Sequence, residues 1–366
     1  MSVTNVGVIG CGNISSNYIR NAKQYENIRF AAFADLDQER AAAKAEEYGN
    51  GAIACTVDEL LANPDIKIVL NITIPKAHYA VAKQALLAGK SVYNEKPLTI
   101  SKEEGMELLK ITGEKGLRVG GAPDTFLGAG IQTCRKIIDD GLIGFPVGAT
   151  AFMMGHGHES WHPDPEFYYE VGGGPMFDMG PYYLTALVNL LGPVAKVAGS
   201  TRISFPERTI TSEKKFGKKV KVEVPTHVVG LLDFKNGAIG TIITSFDVWS
   251  HHMPCIEIYG SKGTLVVPDP NGFEGEVKLW TESKKEWETI PLLENRKFTG
   301  RSLGVADMAY ALENSREHRA NGKLTYHVLE IMHAIHEASN ADKSIQLTNI
   351  LAEKPAPLFD DADLSK

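Results

Sequence analysis

The chain has 366 residues, 43% hydrophobic and 23% charged. That is the make-up of a globular protein of about two domains, and it excludes a peptide hormone, a disordered chain or a small stapled scaffold. Its 38 Lys and Arg against 45 Asp and Glu leave a net charge of −7, a field that repels phosphate backbones and anionic membranes, so a small-molecule partner is expected and nucleic acid is not. The four cysteines, Cys11, Cys55, Cys134 and Cys255, lie far apart without a C-x-x-C pair and are expected as reduced thiols. The amino terminus has no basic segment leading into a long apolar one, and charge-free stretches at 141–158 and 179–195 are broken by Gly and Pro. No membrane span is expected, and a cytoplasmic location is.

Up to residue 122 short apolar runs alternate with helical ones: 6–9 then 14–23, 30–34 then 38–48, 68–72 then 79–88, 91–94 then 102–115, and a last run at 117–120. Strands alternating with helices of this length predict right-handed crossovers and a parallel sheet covered on both faces, an α/β Rossmann domain over residues 1–122. After Pro123 the texture changes. A helical stretch at 129–140 leads into β-rich runs at 145–154, 196–205, 220–234, 238–248, 255–259, 264–267, 277–281 and 287–291. Asn236-Gly237 and Ser261-Lys262-Gly263 read as tight turns with positive φ, which predicts a large, mostly antiparallel open sheet in an α+β domain over 123–366. Helical patterns at 303–320 and 326–338 close the chain.

Gly10-Cys-Gly12-Asn-Ile-Ser15 places G-x-G-x-x-S where the first strand ends and the first helix begins. Gly10 permits the tight turn, Gly12 lets backbone approach a pyrophosphate, and the helix amino terminus offers unpaired N–H groups. Asp35 ends the second strand, where a ribose-binding carboxylate belongs, and Asp35-Leu-Asp37 has no adjacent Arg to receive a 2′-phosphate. The expected cofactor is NAD, preferred over NADP. Thr73-Ile-Pro75 with His78, and Glu95-Lys96-Pro97, follow later strands of the same sheet, where residues face a bound dinucleotide.

Together with Gly172-Gly-Gly174-Pro-Met-Phe-Asp178-Met-Gly180, these motifs resemble the Gfo/Idh/MocA oxidoreductases over nearly the whole chain. The resemblance implies hydride transfer between a nicotinamide and a sugar or cyclitol, and an open sheet that serves a homodimer or homotetramer. It assigns Gly10, Gly12, Asn13, Ile14, Asp35, Thr73, Pro75, His78 and Glu95 to the cofactor, and Lys96 to the junction of cofactor and substrate.

Where relatives carry D-x-G-x-H, this chain has Asp178-Met-Gly180-Pro-Tyr182, with Tyr182 in place of the proton-accepting histidine. Pro181 suits the first turn of a helix, and residues four apart share a helical face, so Asp178 and Tyr182 are expected on one surface. A phenol titrating near ~10 is a poor base unless an ammonium such as Lys96 stabilises its phenolate. The predicted catalytic set is therefore Lys96, Asp178 and Tyr182. A rival base lies in His156-Gly-His158-Glu-Ser-Trp161-His162: His156 and His158 would share a face of an extended strand, and His158 or His162 would reach the substrate from a loop. No metal is expected, since the spacing of these histidines fits no established zinc pattern. Substrate contacts are expected from Asp124, His158, Trp161 and His162, with Phe167, Tyr168 and Tyr169 offering further aromatic surface. The lysines at 214, 215, 218, 219 and 221 read as a solvated, edge-protecting hairpin. The expected activity is NAD-dependent oxidation of a hydroxyl-bearing carbon of a sugar, sugar derivative or cyclitol. An NAD-dependent glycosidase acting by transient oxidation and elimination is the alternative on the same scaffold, and a non-catalytic NAD-binding redox sensor is the alternative of another class.

Overall fold

A computed structural model describes residues 3–348 and 350–364. The chain forms two compact units, the first made of Met1–Gln132, Leu292–Tyr326 and Pro355–Lys366, the second of Thr133–Pro291 and His327–Lys354.

In the first unit β1 (Thr4–Ile9), α1 (Ser15–Ala22), β2 (Ile28–Ala34), α2 (Gln38–Tyr48), β3 (Ile53–Ala54), α3 (Val57–Ala62), β4 (Ile66–Asn71), α4 (Pro75–Leu87), β5 (Ser91–Asn94), α5 (Lys102–Lys115) and β6 (Val119–Gly121) follow one another. The six strands lie parallel in the order β3-β2-β1-β4-β5-β6. Val6, Val8, Ile66, Ile68, Val69 and Leu70 are almost wholly buried, as a sheet covered on both faces requires. The strand order reverses between β1 and β4, and the crevice at their carboxyl ends is where such sheets take ligands. Three helices carry side-chain caps at their starts, namely Asp37 on α2, Thr56 on α3 and Ser101 on α5. The two that begin beside the switch point, α1 and α4, carry none.

The sequence places the domain division at 122/123, whereas the first unit runs on to Gln132 and takes back two later segments. The reason is pairing at the open edge of β6. Asn321 bridges Gly120, and Arg118 donates to the carbonyls of Ala311 and Arg316. The edge is thereby covered by chain drawn from about two hundred residues downstream, which no local pattern announces.

The second unit takes in most of α6 (Ala129–Asp139), then β7 (Pro146–Met154), α7 (Gly174–Asp178), α8 (Gly180–Leu191), β8 (Val194–Arg202), β9 (Glu207–Thr209), β10 (Lys219–Lys221), β11 (His227–Phe234), β12 (Ile239–Ser245), β13 (Ile256–Gly260), β14 (Gly263–Val267), β15 (Val277–Thr281) and β16 (Trp287–Ile290). The chain continues through α9 (Leu303–Glu313), α10 (Gly322–Ala341) and β17 (Ile345–Gln346). Nine strands form one sheet in the order β16-β15-β14-β13-β7-β12-β11-β8-β17. It is antiparallel except where β7 runs parallel to β12. Every residue of α8 is buried, as a helix apolar all round must be. Gly199 and Gly230 sit opposite each other in β8 and β11, and a Cβ at either would strike Ile335, so α10 lies directly on that part of the sheet. The run expected as one strand over 220–234 is split by Pro225 into β10 and β11. The hairpin at 261–263 closes without a positive φ, unlike the turn at Gly237. Among the described residues no helix is long and apolar enough to cross a membrane, and the four cysteines are free thiols.

Candidate active site

In the first unit, Gly10 adopts φ +100 and a Cβ there would come within 2.7 Å of the Ile72 backbone, so only glycine lets the loop after β1 lie against the end of β4. Gly12 and Asn13 are exposed, and a Cβ on Gly12 would meet nothing within 4 Å. Open space there, beside the uncapped start of α1 with no acidic residue in its first turn, fits a pyrophosphate. The Asp35 carboxylate accepts from Cys11 N at 2.7 Å and from Asp37 N at 2.9 Å. It pins the glycine loop to the end of β2 and keeps lone pairs for ribose hydroxyls. Burial, with Asp35 adding to it, pushes the Cys11 thiol up to about 12 and leaves it a neutral packing group. The residues present therefore fit a dinucleotide.

The loop after β4 is held from beneath. Thr73 Oγ1 donates to Asn71 Oδ1 at 2.7 Å, while Asn71 Nδ2 donates to Asn94 Oδ1 and to the His78 carbonyl. His78 is fully buried, its Nδ1 2.7 Å from the Pro97 carbonyl and its Nε2 3.1 Å from that of Thr73. Burial lowers its pKa against the pull of those carbonyls. The imidazole is thus a tie between the loops after β4 and β5, acting on a cofactor only through the backbone it holds. Glu95 is also spent internally: Tyr18 donates to its Oε1 and Lys96 N to its Oε2, both at 2.8 Å, which fixes the backbone that carries the half-buried Lys96. Pro75 starts α4, as its fixed φ favours.

In the second unit, His158 Nε2 lies 3.5 Å from Asp178 Oδ2, both side chains about 15% exposed. His158 is stacked flat on Tyr168 at 3.7 Å, with Phe246 edge-on at 4.7 Å and Trp161 at 5.2 Å. A buried strut stands behind this loop. His158 N donates to the Tyr169 hydroxyl, Tyr169 donates to Glu159, and Glu159 faces Arg208 at 3.4 Å, which also reaches Asp247 at 3.2 Å and the Phe246 carbonyl. The arrangement sets an imidazole against a carboxylate among aromatic rings, a group able to take a hydroxyl proton.

Several expectations need correction. Asp178 and Tyr182 do not share one helix: α7 ends at Asp178, α8 begins at Gly180, and Tyr182, only 6% exposed, sits in the first turn of α8. Asp124 is wholly buried, accepting from Gly304 N at 3.0 Å and facing Arg301 at 3.6 Å, so it braces the start of α9 and offers no surface to a polyol. His156 and His158 do not share a face, because Gly157 turns the chain with φ +79; His156 stacks on Trp249 at 3.4 Å instead. His162 accepts from Asp164 N and packs edge-on to Tyr168, while Trp161 is 62% exposed. Among the described residues no three His, Cys, Asp or Glu converge. The lysine cluster is not merely solvated. Lys214, Lys215 and Lys218 clasp Asp164 and Glu166 at 2.5–2.9 Å. Lys214 and Lys215 hold Asp164 down to about 2, and Glu166 falls to about 2 through Lys215 and Lys218 although burial opposes it.

The sequence reading missed three groups beside the nucleotide loops. Leu36 is fully exposed and Ile74 68% exposed, apolar surfaces of the kind an adenine ring covers. Arg40, one turn into α2, pairs with Asp37 at 3.1 Å. An isolated apolar residue between a strand end and a helix cap, as in Asp35-Leu-Asp37, is the signal that was there to be used.

Residues 4–121 match the family model described as oxidoreductase family, NAD-binding Rossmann fold, and residues 131–266 match the GFO/IDH/MocA C-terminal domain. The chain belongs to the GFO/IDH/MocA oxidoreductase family. Its first unit is accordingly an NAD-binding Rossmann domain. The chain is 29% identical to an inositol 2-dehydrogenase of Ralstonia nicotianae over 72% of this chain and 74% of that protein. It is 26% identical to a 1,5-anhydro-D-fructose reductase of Ensifer adhaerens over 71% and 74%. A solved levoglucosan dehydrogenase in complex with NADH and L-sorbose shares the fold, with a TM-score of 0.79 over 95% of this chain and 99% of that one at 20% identity.

Proposed function

We propose that the protein is an NAD-dependent dehydrogenase that oxidises a secondary hydroxyl of a sugar, sugar derivative or cyclitol. Membership of the GFO/IDH/MocA family, with relatives named for inositol and anhydrofructose, supports the substrate class. The observation that carries the chemistry is the 3.5 Å pairing of His158 with Asp178. NAD, when bound, accepts the hydride. His158 takes the hydroxyl proton at Nε2, the nitrogen that faces Asp178, and that carboxylate stabilises the imidazolium that forms; Lys96, fixed by Glu95 after β5, is assigned to the cofactor's side. This assigns the base to the histidine loop and leaves Tyr182 a positioning contact at the start of α8. NAD is favoured over NADP because Asp35 stands at the end of β2, while Arg40 is engaged by Asp37. Leu231, 49% exposed, and Ile239, 60% exposed, present apolar surface on the large sheet, which supports a homodimer or homotetramer through that face.

The test is a screen of monosaccharides, glycosides and cyclitols with NAD, followed by product analysis. Accumulating NADH with a keto product is expected. Release of an aglycone with no net NADH would replace the dehydrogenase by the elimination mechanism. Tight NAD binding without turnover of any polyol would replace it by a sensor.

A further inference from the structure

The second unit contains a cavity of about 560 Å³ that the proposed chemistry does not use. One wall is the indole of Trp249, which is 81% exposed although one of its faces is backed by His156 at 3.4 Å and an interplanar angle of 14°. A flat ring braced from behind is a preformed apolar platform. Phe205, 46% exposed and backed by the Arg208 guanidinium at 5.4 Å, adds a second aromatic surface. The floor is polar. Arg208 lines the cavity with its side chain 5% exposed, and its buried Nε has no acceptor among the described residues. Ser160, Thr209 and Thr211 line the same space.

Charge selects among ligands. Among the lining residues the one Lys or Arg, Arg208, is already opposed by two carboxylates, Glu159 and Asp247, while Glu207 on the rim is paired with Lys219 at 2.6 Å, which leaves one carboxylate in excess. The field is therefore negative and unsuited to phosphate or carboxylate. Apolar ring faces beside hydroxyl-sized donors and acceptors fit an uncharged saccharide ring, whose C–H faces stack and whose edge hydrogen-bonds. The cavity adjoins the paired histidine along the chain: His156 in its wall and His158 facing Asp178 flank Gly157, which itself lines the cavity. Although their side chains leave on different faces, their Cα atoms are at most about 7 Å apart, within the length of a disaccharide that crosses Gly157.

We propose that this cavity is an accessory carbohydrate subsite that holds a second sugar ring, linked to the one presented to His158. The protein then prefers a glycoside or short oligosaccharide to a free monosaccharide. This rests on the sugar dehydrogenase reading and narrows it.

The experiment compares, in the full chain with NAD, D-glucose with cellobiose and D-xylose with xylobiose, in the unaltered protein and in Trp249→Ala. Trp249 is on the surface, so its loss leaves the fold intact; Thr209→Val probes the polar wall independently. The expected result is a roughly tenfold higher KM for the disaccharide in Trp249→Ala, the value of one lost aromatic stack, with the monosaccharide KM and kcat within twofold. An unchanged disaccharide KM, or an equal loss for both sugars, overturns the subsite. So does a fall in sedimenting mass with sugar kinetics unmoved, which would make Trp249 an interface between copies of the chain. Should no sugar be turned over, the dehydrogenase reading fails, and calorimetric titration with cellobiose decides the cavity separately: heat lost in Trp249→Ala upholds it, and no heat in the unaltered protein overturns it.

Discussion

Replacing Arg208 by Met removes the one cation of a buried cluster and leaves Glu159 and Asp247, 9% and 7% exposed at the side chain, without the guanidinium they share. Breaking a buried pair in this way costs about 3–5 kcal/mol, because an uncompensated charge stays in low dielectric. At about 2–4 °C per kcal/mol for a unit of this size, the melting transition falls by roughly 6–20 °C. The loss is transmitted along a defined path, from Arg208 to Glu159, then the Tyr169 hydroxyl, then His158 N. Amide exchange in 157–169 is therefore expected to accelerate and kcat/KM to drop, while affinity for NAD, bound by the other unit, holds. The triple change Arg208→Met, Glu159→Gln, Asp247→Asn is expected to recover most of the melting temperature, since neutral amides need no counter-charge. Calorimetry and hydrogen exchange read both effects. A fall under about 2 °C in the single variant, or a triple variant no better than the single, would refute the electrostatic account of the strut.

Three further outcomes follow from the same structure. In Gly157→Ala a Cβ overlaps Glu159 Oε2 and the Tyr169 hydroxyl at φ +79; a strain of about 1–3 kcal/mol and a roughly hundredfold lower kcat/KM are expected, and wild-type kinetics would show that the turn does not aim His158. His318 is fully buried, and burial, aided by Arg118 and Arg316 against Asp307, lowers its pKa to about 4. The unfolded chain therefore binds its proton between about pH 4 and 6.5 while the folded chain does not, so about 3 kcal/mol of stability, complete above pH 6.5, is lost as pH falls to 4. Denaturant titrations of His318→Leu are expected to lose that slope, and an unaltered slope would contradict it. Asp35→Ser is expected to cut the ratio of kcat/KM for NAD over NADP roughly tenfold by removing a carboxylate from the 2′ position, and a ratio that stays put would assign cofactor choice elsewhere.

Much of the nucleotide half was legible in the sequence because its constraints are local. Gly10 announces a turn that tolerates no Cβ, and the apolar runs ending at Asn71 and Asn94 announce strands buried on both faces. The other half was harder to read because its determinants are remote. Arg208 reaches Glu159 and Asp247 from a hairpin 49 residues after the one and 39 before the other, and the lysines of that hairpin read as solvated surface because Asp164 and Glu166, their partners, lie some fifty residues upstream. Asp124 read as a free carboxylate because its partners, Arg301 and Gly304, come from a segment far down the chain. The spacing of Asp178 and Tyr182 suggested one helix, yet Gly180-Pro181 begins a new one, since proline favours a first turn over a helix interior. The pairing that replaced it joins His158 to Asp178, twenty positions apart in sequence, and only the fold brings them together.

The most direct test of the account is the comparison of His158→Ala with Tyr182→Phe on the best sugar substrate, with NAD saturating and the folded state checked by calorimetry. Loss of a positioned base predicts a kcat lower by about 10²–10⁴ for His158→Ala and a change within about tenfold for Tyr182→Phe. Full activity in His158→Ala, with activity abolished in Tyr182→Phe, would contradict it and return the proton to the phenol.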